Sequence, residues 1–305
     1  MKYLDSLPYG RVMFDYDKSI LTKFGTSRAL ELIPYWTKQP TMEGLLAESA
    51  LTSPFHYINK AEFIVKDRTS IAGWPVPSTR DYEAAMEHLI YYNISYIMAS
   101  SPEVINDLNN DSRVKFLNKI EPYYFYEIKG PHNYVEVVKN IPYRYKTENW
   151  VWEMRDWYLN ADNVDNPVIY DDGSKELKQF DEITREQLKN VPENPVNIKG
   201  EILSEHLERE KIEFTTTAIG VPHLIKVSYF PNWKAIGAKG PYLVSPSLMM
   251  VIPTQSHVTL YYGMTYANII VVALSIAGCV IIVLILLLNL VFYLKSKKTR
   301  FKKTA

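Results

Sequence analysis

The sequence has almost no cysteine: its only one in 305 residues is Cys279, which lies inside a long apolar run near the C-terminus. One cysteine cannot form a disulfide within the chain, and it leaves the preceding 278 residues without a thiolate metal ligand. These observations exclude a disulfide scaffold and a thiolate metal site there. We expect Cys279 to act as a small apolar side chain that faces lipid or a neighbouring helix.

Several catalytic and binding signatures are also missing. The sequence contains no glycine-rich phosphate loop, no G-x-S-x-G elbow, no metalloprotease helix motif and no basic aromatic platform. The formal charge is zero, but six of the 34 basic residues follow Leu294, which leaves the preceding part mildly acidic. A soluble hydrolase, a nucleotide-dependent enzyme and a nucleic-acid binder are all disfavoured. We expect no cofactor.

The most prominent feature present is the apolar run of residues 267–294. About 28 residues at a helical rise of about 1.5 Å span about 42 Å, enough to cross a hydrocarbon core of about 30 Å. The run therefore predicts one transmembrane helix. Residues 295–305 are rich in lysine and arginine, which favours a cytoplasmic tail and places the large preceding region outside the cytoplasm.

The first eight residues contain no apolar stretch typical of an export signal. A single C-terminal span would then have to carry its basic tail across the membrane, against the usual charge rule. Two explanations stay open. The chain is the last part of a larger polytopic protein, or it is a tail-anchored protein whose large region faces the cytosol.

Hydrophobic periodicity predicts an α+β fold. Asp81 is followed by apolar residues at helical spacing, which predicts a helix over residues 81–92. We also predict a helix over residues 202–209, and surface positions for His223 and His257 on later strands. The predicted organisation is an α/β domain (1–130), an acidic, aromatic-containing connecting region (131–211), a small antiparallel β-sandwich (212–263), the transmembrane helix (267–294) and the basic tail (295–305).

Two groups of short motifs carry a resemblance to a known family. One group is Pro34-Tyr35-Trp36, Met42-Glu43-Gly44-Leu45-Leu46 and Thr52-Ser53-Pro54-Phe55-His56. The other is the stretch from His223 to Trp233 together with Gly240-Pro241-Tyr242-Leu243-Val244-Ser245-Pro246. Both resemble the C-terminal part of archaeal and bacterial polytopic membrane proteins with a 6-pyruvoyl-tetrahydropterin-synthase-related domain. These proteins are similar to the YfhO-like branch of the GT-C glycosyltransferase superfamily.

The resemblance implies an extracytoplasmic region on a polytopic core, with lipid-linked sugars as a substrate class. In GT-C enzymes the catalytic acid lies in an early loop between the first spans, and this chain contains no such loop, so the resemblance implies an accessory role. The pterin chemistry itself is excluded. It needs a zinc held by three histidines, two of them in a His-x-His pair, and a catalytic cysteine, whereas the six histidines form no such pair.

Trp150, Trp152, Glu153, Asp156 and Trp157 place aromatic faces beside carboxylates, the combination that sugar-binding grooves use. On a helix Trp150, Glu153 and Trp157 share one face, and Trp152 and Asp156 share another. The alternative is that these aromatic residues fill a core or rest at a membrane interface.

A second candidate cluster is Glu43, Glu48 and His56, which could act as acids and bases, or bind a lipid headgroup, if they converge. The alternative is structural hydrogen bonding. Loop aspartates 162, 165, 171 and 172 offer carboxylates for calcium, but their spacing does not match an EF-hand, and a solvated acidic loop fits them better. We expect no metal and no catalytic residue in this chain.

From these features we expect the extracytoplasmic region and last transmembrane helix of a GT-C-like or YfhO-like membrane protein of envelope glycan or lipid-linked sugar metabolism. The expected partners are membrane lipids, a lipid-linked sugar or envelope glycan, and other transmembrane helices of a polytopic core. The alternative is a non-catalytic, membrane-anchored module that binds envelope glycan or a protein partner.

Overall fold

The computed structural model describes residues 1–15, 17–26, 28–43, 50–64, 73–197 and 200–301, apart from the side chains of Lys18 and of residues 294–301. The chain forms two compact units. The larger comprises residues 1–230 and 235–261, and the smaller comprises residues 231–234 and 262–305. Each unit is described separately below.

Helices and strands alternate through the first half of the larger unit, and strands dominate the second half. The helices described there are α1 Lys2–Asp5, α2 Lys18–Leu21, α3 Ile33–Thr37, α4 Ser53–Phe63, α5 Tyr82–Tyr91, α6 Pro102–Asn110 and α7 Trp150–Tyr158. The first seven strands are β1 Arg11–Phe14, β2 Ile94–Ala99, β3 Val114–Ile120, β4 Tyr123–Ile128, β5 Val135–Val137, β6 Tyr143–Tyr145 and β7 Val168–Tyr170. The others are β8 Ile202–Glu208, β9 Lys211–Thr216, β10 His223–Ser228, β11 Trp233–Ile236, β12 Ala238–Val244, β13 Leu248–Pro253 and β14 His257–Tyr262.

The first sheet has the strand order β1-β2-β4-β3, with β1 parallel to β2 and the remaining neighbours antiparallel. Strand β2 lies inside the sheet, and all six of its residues are buried because both faces of the sheet are covered. Ile97 belongs to a core shared with α4 and α5, whereas Met98 belongs to a second core shared with α1 and α3. The sheet thus separates two hydrophobic layers.

The predicted helix over residues 81–92 is confirmed as α5. Asp81 caps it, because its carboxylate accepts a hydrogen bond of 3.1 Å from the backbone N–H three residues later. Met86 and Leu89 are fully buried, as their spacing predicts, but Ile90, expected on the same face, is 38% exposed. The apolar stripe of this helix is therefore narrower than its sequence indicates.

The second sheet has six strands in the order β5-β10-β13-β12-β7-β6, antiparallel except for the pair β6 and β7. Strands β5, β6 and β7 come from the predicted connecting region 131–211, and β10, β12 and β13 come from the predicted sandwich region 212–263. One sheet therefore unites chain segments that the composition of the sequence separates.

The third sheet has the order β11-β14-β9-β8, with β14 and β8 both antiparallel to β9, and its strand β8 corrects a prediction. We predict a helix over residues 202–209 from the sequence. Instead β8 pairs with β9, with Leu207 opposite Ile212. The Glu205 carboxylate also accepts hydrogen bonds of 3.0 Å from the backbone N–H groups of Tyr134 and Val135. The pairing of β8 with β9 and the Glu205 hydrogen bonds therefore stabilise a strand in this segment rather than a helix.

His223 is buried rather than on the surface, which corrects a second prediction; His257 is exposed as expected. Strand β10 lies inside the second sheet, so its first four residues are buried. The His223 Nδ1 lies 2.8 Å from the Val221 carbonyl oxygen, and its Nε2 lies 2.8 Å from Thr216 Oγ1. Burial lowers the pKa of His223, and the hydrogen bond to Val221 opposes this effect only in part. The ring is therefore a neutral structural group.

The smaller unit is dominated by the helix α8, Tyr266–Phe301. Its segment Tyr266–Tyr293 has 28 residues and contains an 18-residue window with a mean hydropathy of 3.3, which makes it long and apolar enough to cross a membrane. Thr265 and Asn268 cap the start of α8 reciprocally, each side chain accepting a hydrogen bond from the other's backbone N–H. The predicted α+β class, with sandwich-like antiparallel sheets and one C-terminal apolar helix, is confirmed.

Candidate functional site

Helix α4 carries an unusual set of buried polar side chains. It begins with Pro54 in its first turn, a position where the missing backbone N–H has no cost. Apolar residues Phe55 and Ile58 are fully buried, but so are the polar residues His56 and Asn59. Because both faces of this helix are covered, each polar group on it needs a hydrogen-bonding partner inside the protein.

The Glu43 carboxylate is the centre of the main polar cluster. His56 Nε2 and Lys60 Nζ lie 2.9 and 3.0 Å from Glu43 Oε2, and the Tyr57 hydroxyl donates a hydrogen bond of 2.8 Å to Oε1. Glu43 is 5% exposed and His56 is 1% exposed. Glu43 and His56, whose convergence the sequence left open, therefore do meet, with Lys60 and Tyr57 as members that the sequence analysis missed. We call these four residues the Glu43 cluster. Glu48 lies outside the described residues.

The charges in the Glu43 cluster follow from this geometry. Burial raises the pKa of Glu43, but the hydrogen bonds from His56 and Lys60 and the positive charge of Lys60 together outweigh burial and hold that pKa well below its usual range. Burial lowers the pKa of His56, and the neighbouring carboxylate restores it only in part. An ionised Glu43 therefore pairs with Lys60, while a neutral His56 donates its Nε2 proton to the carboxylate.

A second acid and histidine meet further along the same helix. The Glu62 carboxylate lies 2.9 Å from His88 Nδ1, and the His88 ring stacks on Tyr158 with its centroid 3.9 Å away. Burial raises the pKa of Glu62, and the hydrogen bond and charge of His88 offset only part of that rise. This pair has no lysine, and its carboxylate accepts only one hydrogen bond from a side chain among the described residues.

A hydrogen bond joins the two motif groups in space, and two further bonds connect each group to its surroundings. Thr52, from the first group, has its Oγ1 2.7 Å from Ser228 Oγ and 3.0 Å from Ser247 Oγ. Tyr91, on α5, donates a hydrogen bond of 2.6 Å to the backbone oxygen of Ser245 in the second group. A cavity of about 160 Å³ lies beside Thr52 and Ser228, with the Arg11 side chain in its wall. Segments about 175 residues apart therefore share one polar contact network.

Trp150 and Trp157, two of the predicted sugar-binding residues, are core residues on α7. Their exposed fractions are 6% and 0%. Both indole N–H groups are satisfied inside the protein, since Trp150 donates to the Pro246 carbonyl at 2.9 Å and Trp157 donates to the Asn166 carbonyl at 3.0 Å. Neither ring offers a face to a ligand.

The other members of the predicted tryptophan cluster are more accessible. Glu153 is held by the Tyr145 hydroxyl at 2.6 Å and by Arg185 at 3.6 Å. Trp152 is 54% exposed, and the Asp156 side chain is 26% exposed. Because these two residues are four positions apart on α7, they lie on the same face, as the sequence predicts. The open part of the cluster is therefore Trp152 with Asp156.

Metal binding has no support among the described residues, where no group of three or more His, Cys, Asp or Glu side chains forms a metal-binding arrangement. Two of the loop aspartates considered for calcium are instead ion-paired. Asp165 lies 2.7 Å from Lys139 Nζ, and Asp171 lies 2.6 Å from an Arg144 nitrogen. Those loop carboxylates stabilise the second sheet and its connections.

A large groove lies on the side of the first sheet that faces α1 and α3, and the sequence analysis did not predict it. Its volume is about 660 Å³, and its lining is mostly apolar, with Trp36 and Phe24 among the lining residues. The signal in the sequence was the pair of adjacent aromatic residues Tyr35 and Trp36. In the structure both are exposed on α3, whereas Ile33 and Thr37, one turn apart on the same helix, are buried. Two adjacent exposed aromatic residues indicate a surface that contacts something else.

Comparisons with protein-family models, with curated proteins and with solved structures found no match to this chain.

Proposed function

We propose that this chain is the extracytoplasmic region and last transmembrane helix of a polytopic membrane protein of the GT-C-like or YfhO-like kind. In this proposal the protein acts in envelope glycan or lipid-linked sugar metabolism, and the chain has an accessory, ligand-binding role. The parent protein supplies the remaining transmembrane helices and the catalytic loop.

The observation that carries the proposal is the contact between the two motif groups. The resemblance rests on stretches near residues 34–56 and 223–246, which are far apart in the sequence. The hydroxyl groups of Thr52 and Ser228 share a hydrogen bond of 2.7 Å, which joins the first group to the second. Motifs that depend on one another in this way are expected to occur together, which supports a common origin with the family that they resemble.

The accessory role is supported by the Glu43 cluster. A general acid or base must come within hydrogen-bonding distance of a reacting group. Both oxygens of Glu43 already accept hydrogen bonds from side chains, and the carboxylate and the His56 ring are buried. These groups therefore have the properties of a structural ion cluster rather than those of a catalytic pair.

The membrane assignment has its own test. Helix α8 provides a span of 28 apolar residues, and the basic tail that follows favours the cytoplasm. Protease added to right-side-out vesicles should digest residues 1–262 and spare the tail. Protection of the large region would show that it faces the cytosol and would overturn the proposed orientation.

We place the glycan contact at Trp152 and Asp156, which share one face of α7. The Trp152 ring packs against Trp74 with the ring centroids 4.6 Å apart, and Trp152 is still 54% exposed. Trp152→Ala should weaken binding of the nanodisc-reconstituted chain to fragments of the source organism's envelope glycan without unfolding the chain, although the packing on Trp74 is lost. Phe116→Ala is the matched control, because Phe116 is a similarly exposed aromatic residue, 50% exposed, and lies on strand β3 instead of helix α7. Equal affinity of both variants and the unaltered chain would contradict this site.

A further inference from the structure

The small cavity beside Thr52 lies where the two motif groups meet. Its volume is about 160 Å³, whereas one water molecule in the liquid takes up about 30 Å³. Ala50 is exposed in its wall, and Arg11 and Ser228 are half-buried there, so the cavity opens to solvent. It is therefore accessible and large enough for a small polyatomic ion.

Arg11 is the only charged residue among the described residues that line the cavity. The others are uncharged: Thr41, Met42, Ala50, Thr52, Tyr92, Ser228 and Leu248. The Arg11 guanidinium donates hydrogen bonds to the backbone oxygens of Tyr92 and, at 3.0 Å, of Lys226. These bonds hold the group in place and leave some of its five N–H groups for a ligand. Arg11 forms no ion pair among the described residues, so the cavity favours an anion.

The carboxylates near the cavity are already bonded elsewhere. Glu43 adjoins a lining residue, but its carboxylate is paired with Lys60 at 3.0 Å. The Glu205 carboxylate accepts hydrogen bonds from two backbone N–H groups, one of them that of Tyr134, whose ring centroid lies 5.4 Å from the Arg11 guanidinium carbon. Neither carboxylate is among the lining groups, so Arg11 determines the sign of the charge in the cavity.

Four hydroxyl groups form a chain along the wall. Thr52 Oγ1 lies 2.7 Å from Ser228 Oγ and 3.0 Å from Ser247 Oγ. Ser247 Oγ in turn lies 3.1 Å from the Tyr92 hydroxyl oxygen. Burial raises the pKa of Tyr92, so this hydroxyl keeps its proton.

This chain has one proton more than its own bonds use. Its four hydroxyls share three hydrogen bonds and form no other among the described residues. A free proton on Ser247, which is fully buried, would lack an acceptor at a high cost in free energy. The other three hydroxyls, those of Thr52, Tyr92 and Ser228, belong to residues that line the cavity. We therefore place the spare donor on one of these three, facing the cavity.

The start of helix α4 lies at the same wall. Thr52 is the N-cap residue of this 11-residue helix, and its hydroxyl bonds the two serines instead of a backbone N–H of the helix. The positive end of the helix dipole therefore adds to the charge of Arg11. Thr52 and Tyr92 are 9% and 1% exposed, so water competes little with a ligand for their hydroxyls.

We propose that this cavity binds a phosphate group, with Arg11 as its counter-ion and the hydroxyl chain of Thr52, Ser228, Ser247 and Tyr92 as a hydrogen-bond donor. A phosphate group offers negative charge and several acceptor oxygens, and a planar guanidinium is well suited to bind it. The proposal goes beyond the proposed function, because it requires neither the membrane orientation nor the glycan contact.

The test measures binding of inorganic phosphate to the full chain by isothermal titration calorimetry. The chain is held in a maltoside detergent, which contains no phosphate, and sodium chloride at equal ionic strength is the control for general salt effects. We expect phosphate to bind and to raise the melting temperature, since a ligand of the folded state stabilises it, and chloride to do neither. A chain that responds to phosphate no more than to chloride would overturn the proposal.

Two substitutions at the mouth of the cavity test the role of charge. Ser228→Asp and Ser228→Asn introduce side chains of the same size that both accept a hydrogen bond from Thr52, but only the aspartate can pair with Arg11 as a negative charge. We expect Ser228→Asp to remain folded and to lose at least about tenfold in phosphate affinity, and Ser228→Asn to lose much less. Equal phosphate affinities of these two variants would contradict the proposal.

Removing the counter-ion gives an independent check. Arg11→Gln should lose at least about tenfold in phosphate affinity. Arg155→Gln is the matched control, because Arg155 also donates to a backbone oxygen, that of Pro75 at 2.9 Å, but does not line the cavity. A folded Arg11→Gln variant with unaltered phosphate affinity would overturn the proposal. If Arg11→Gln does not fold, the two Ser228 variants decide.

Glucose 1-phosphate distinguishes the two sources of a phosphate group. Binding at least as tight as that of inorganic phosphate, and lost in Ser228→Asp, would assign the cavity to the phosphate of a larger ligand. Binding of inorganic phosphate alone would assign it to the free ion. Trp152→Ala should change neither affinity, so the phosphate site and the glycan site can fail separately.

Discussion

Helix α4 takes part in two acid and histidine pairs that contain the same residue types but hold different charges. Glu43 accepts hydrogen bonds from His56, Lys60 and Tyr57, and its pKa is held well below the usual range. Glu62 accepts one from His88, and its pKa is raised. Both carboxylates are at most 5% exposed, so burial alone does not decide the charge state. The charge state is decided by the number of side chains that donate hydrogen bonds to the carboxylate and by the presence of a nearby lysine.

The largest expected effect comes from breaking the better-paired site. Glu43→Gln removes the negative charge that faces Lys60 and leaves a buried ammonium without its counter-ion. A loss of this kind lowers the free energy of unfolding by about 3–5 kcal/mol. Denaturant unfolding of the variant beside the unaltered chain measures it. A loss below about 1 kcal/mol, the scale of an exposed ion pair, would show that Glu43 is not buried and ion-paired in solution.

Glu62→Gln should have a smaller effect. Glutamine resembles the protonated acid in shape, and its amide can donate to His88 Nδ1 if the ring changes tautomer. We therefore expect a loss of only about 0.5–1.5 kcal/mol, the net contribution of one ordinary hydrogen bond. The same unfolding experiment gives the value. A loss equal to that of Glu43→Gln would remove the distinction between the two pairs.

The two sites should also respond to acid in opposite directions. The pKa of His56 is lowered by burial, so the unfolded chain binds more protons just below pH 6.5, and stability falls as the pH drops through that range. Glu62 has a raised pKa, so the folded chain binds its proton more readily, and stability rises as the pH falls through the folded pKa.

In the unaltered chain, protonation of Glu62 offsets part of the stability that acid removes through His56. The Glu62→Gln variant lacks this offset. Glu62→Gln should lose stability more steeply than the unaltered chain between about pH 6.5 and pH 4.5. Melting temperatures across this range measure the slope for each protein. A variant with a shallower slope would assign the compensation to a different group.

The sequence predicted elements whose patterns are local. The helix over residues 81–92 follows from apolar spacing and a capping aspartate. The helix predicted over residues 202–209 was wrong, because this segment forms strand β8. Its pairing with β9 and the Glu205 hydrogen bonds are contacts that a local pattern does not contain. The burial of His223 was missed for the same reason, since it depends on the neighbours of β10.

The candidate sites show the same limit. Glu43 and His56 were singled out because both occur in one motif-like stretch, but the sequence left open whether they converge; in the structure they do. Lys60 and Tyr57 follow on the same helix, yet nothing in the sequence shows that both reach one carboxylate. Trp150 and Trp152 are two positions apart, and only the packing of α7 determines that the first is buried and the second exposed.

The central claim is that the Glu43 cluster maintains the fold, whereas an exposed surface contacts the glycan. The most direct test is the glycan affinity of the folded, nanodisc-reconstituted chain carrying either Glu43→Gln or Trp152→Ala. We predict unaltered affinity for Glu43→Gln despite its lower stability. For Trp152→Ala we predict a loss of about tenfold or more, as for an aromatic contact at the centre of an interface. Loss of affinity in Glu43→Gln with Trp152→Ala unaffected would contradict the account.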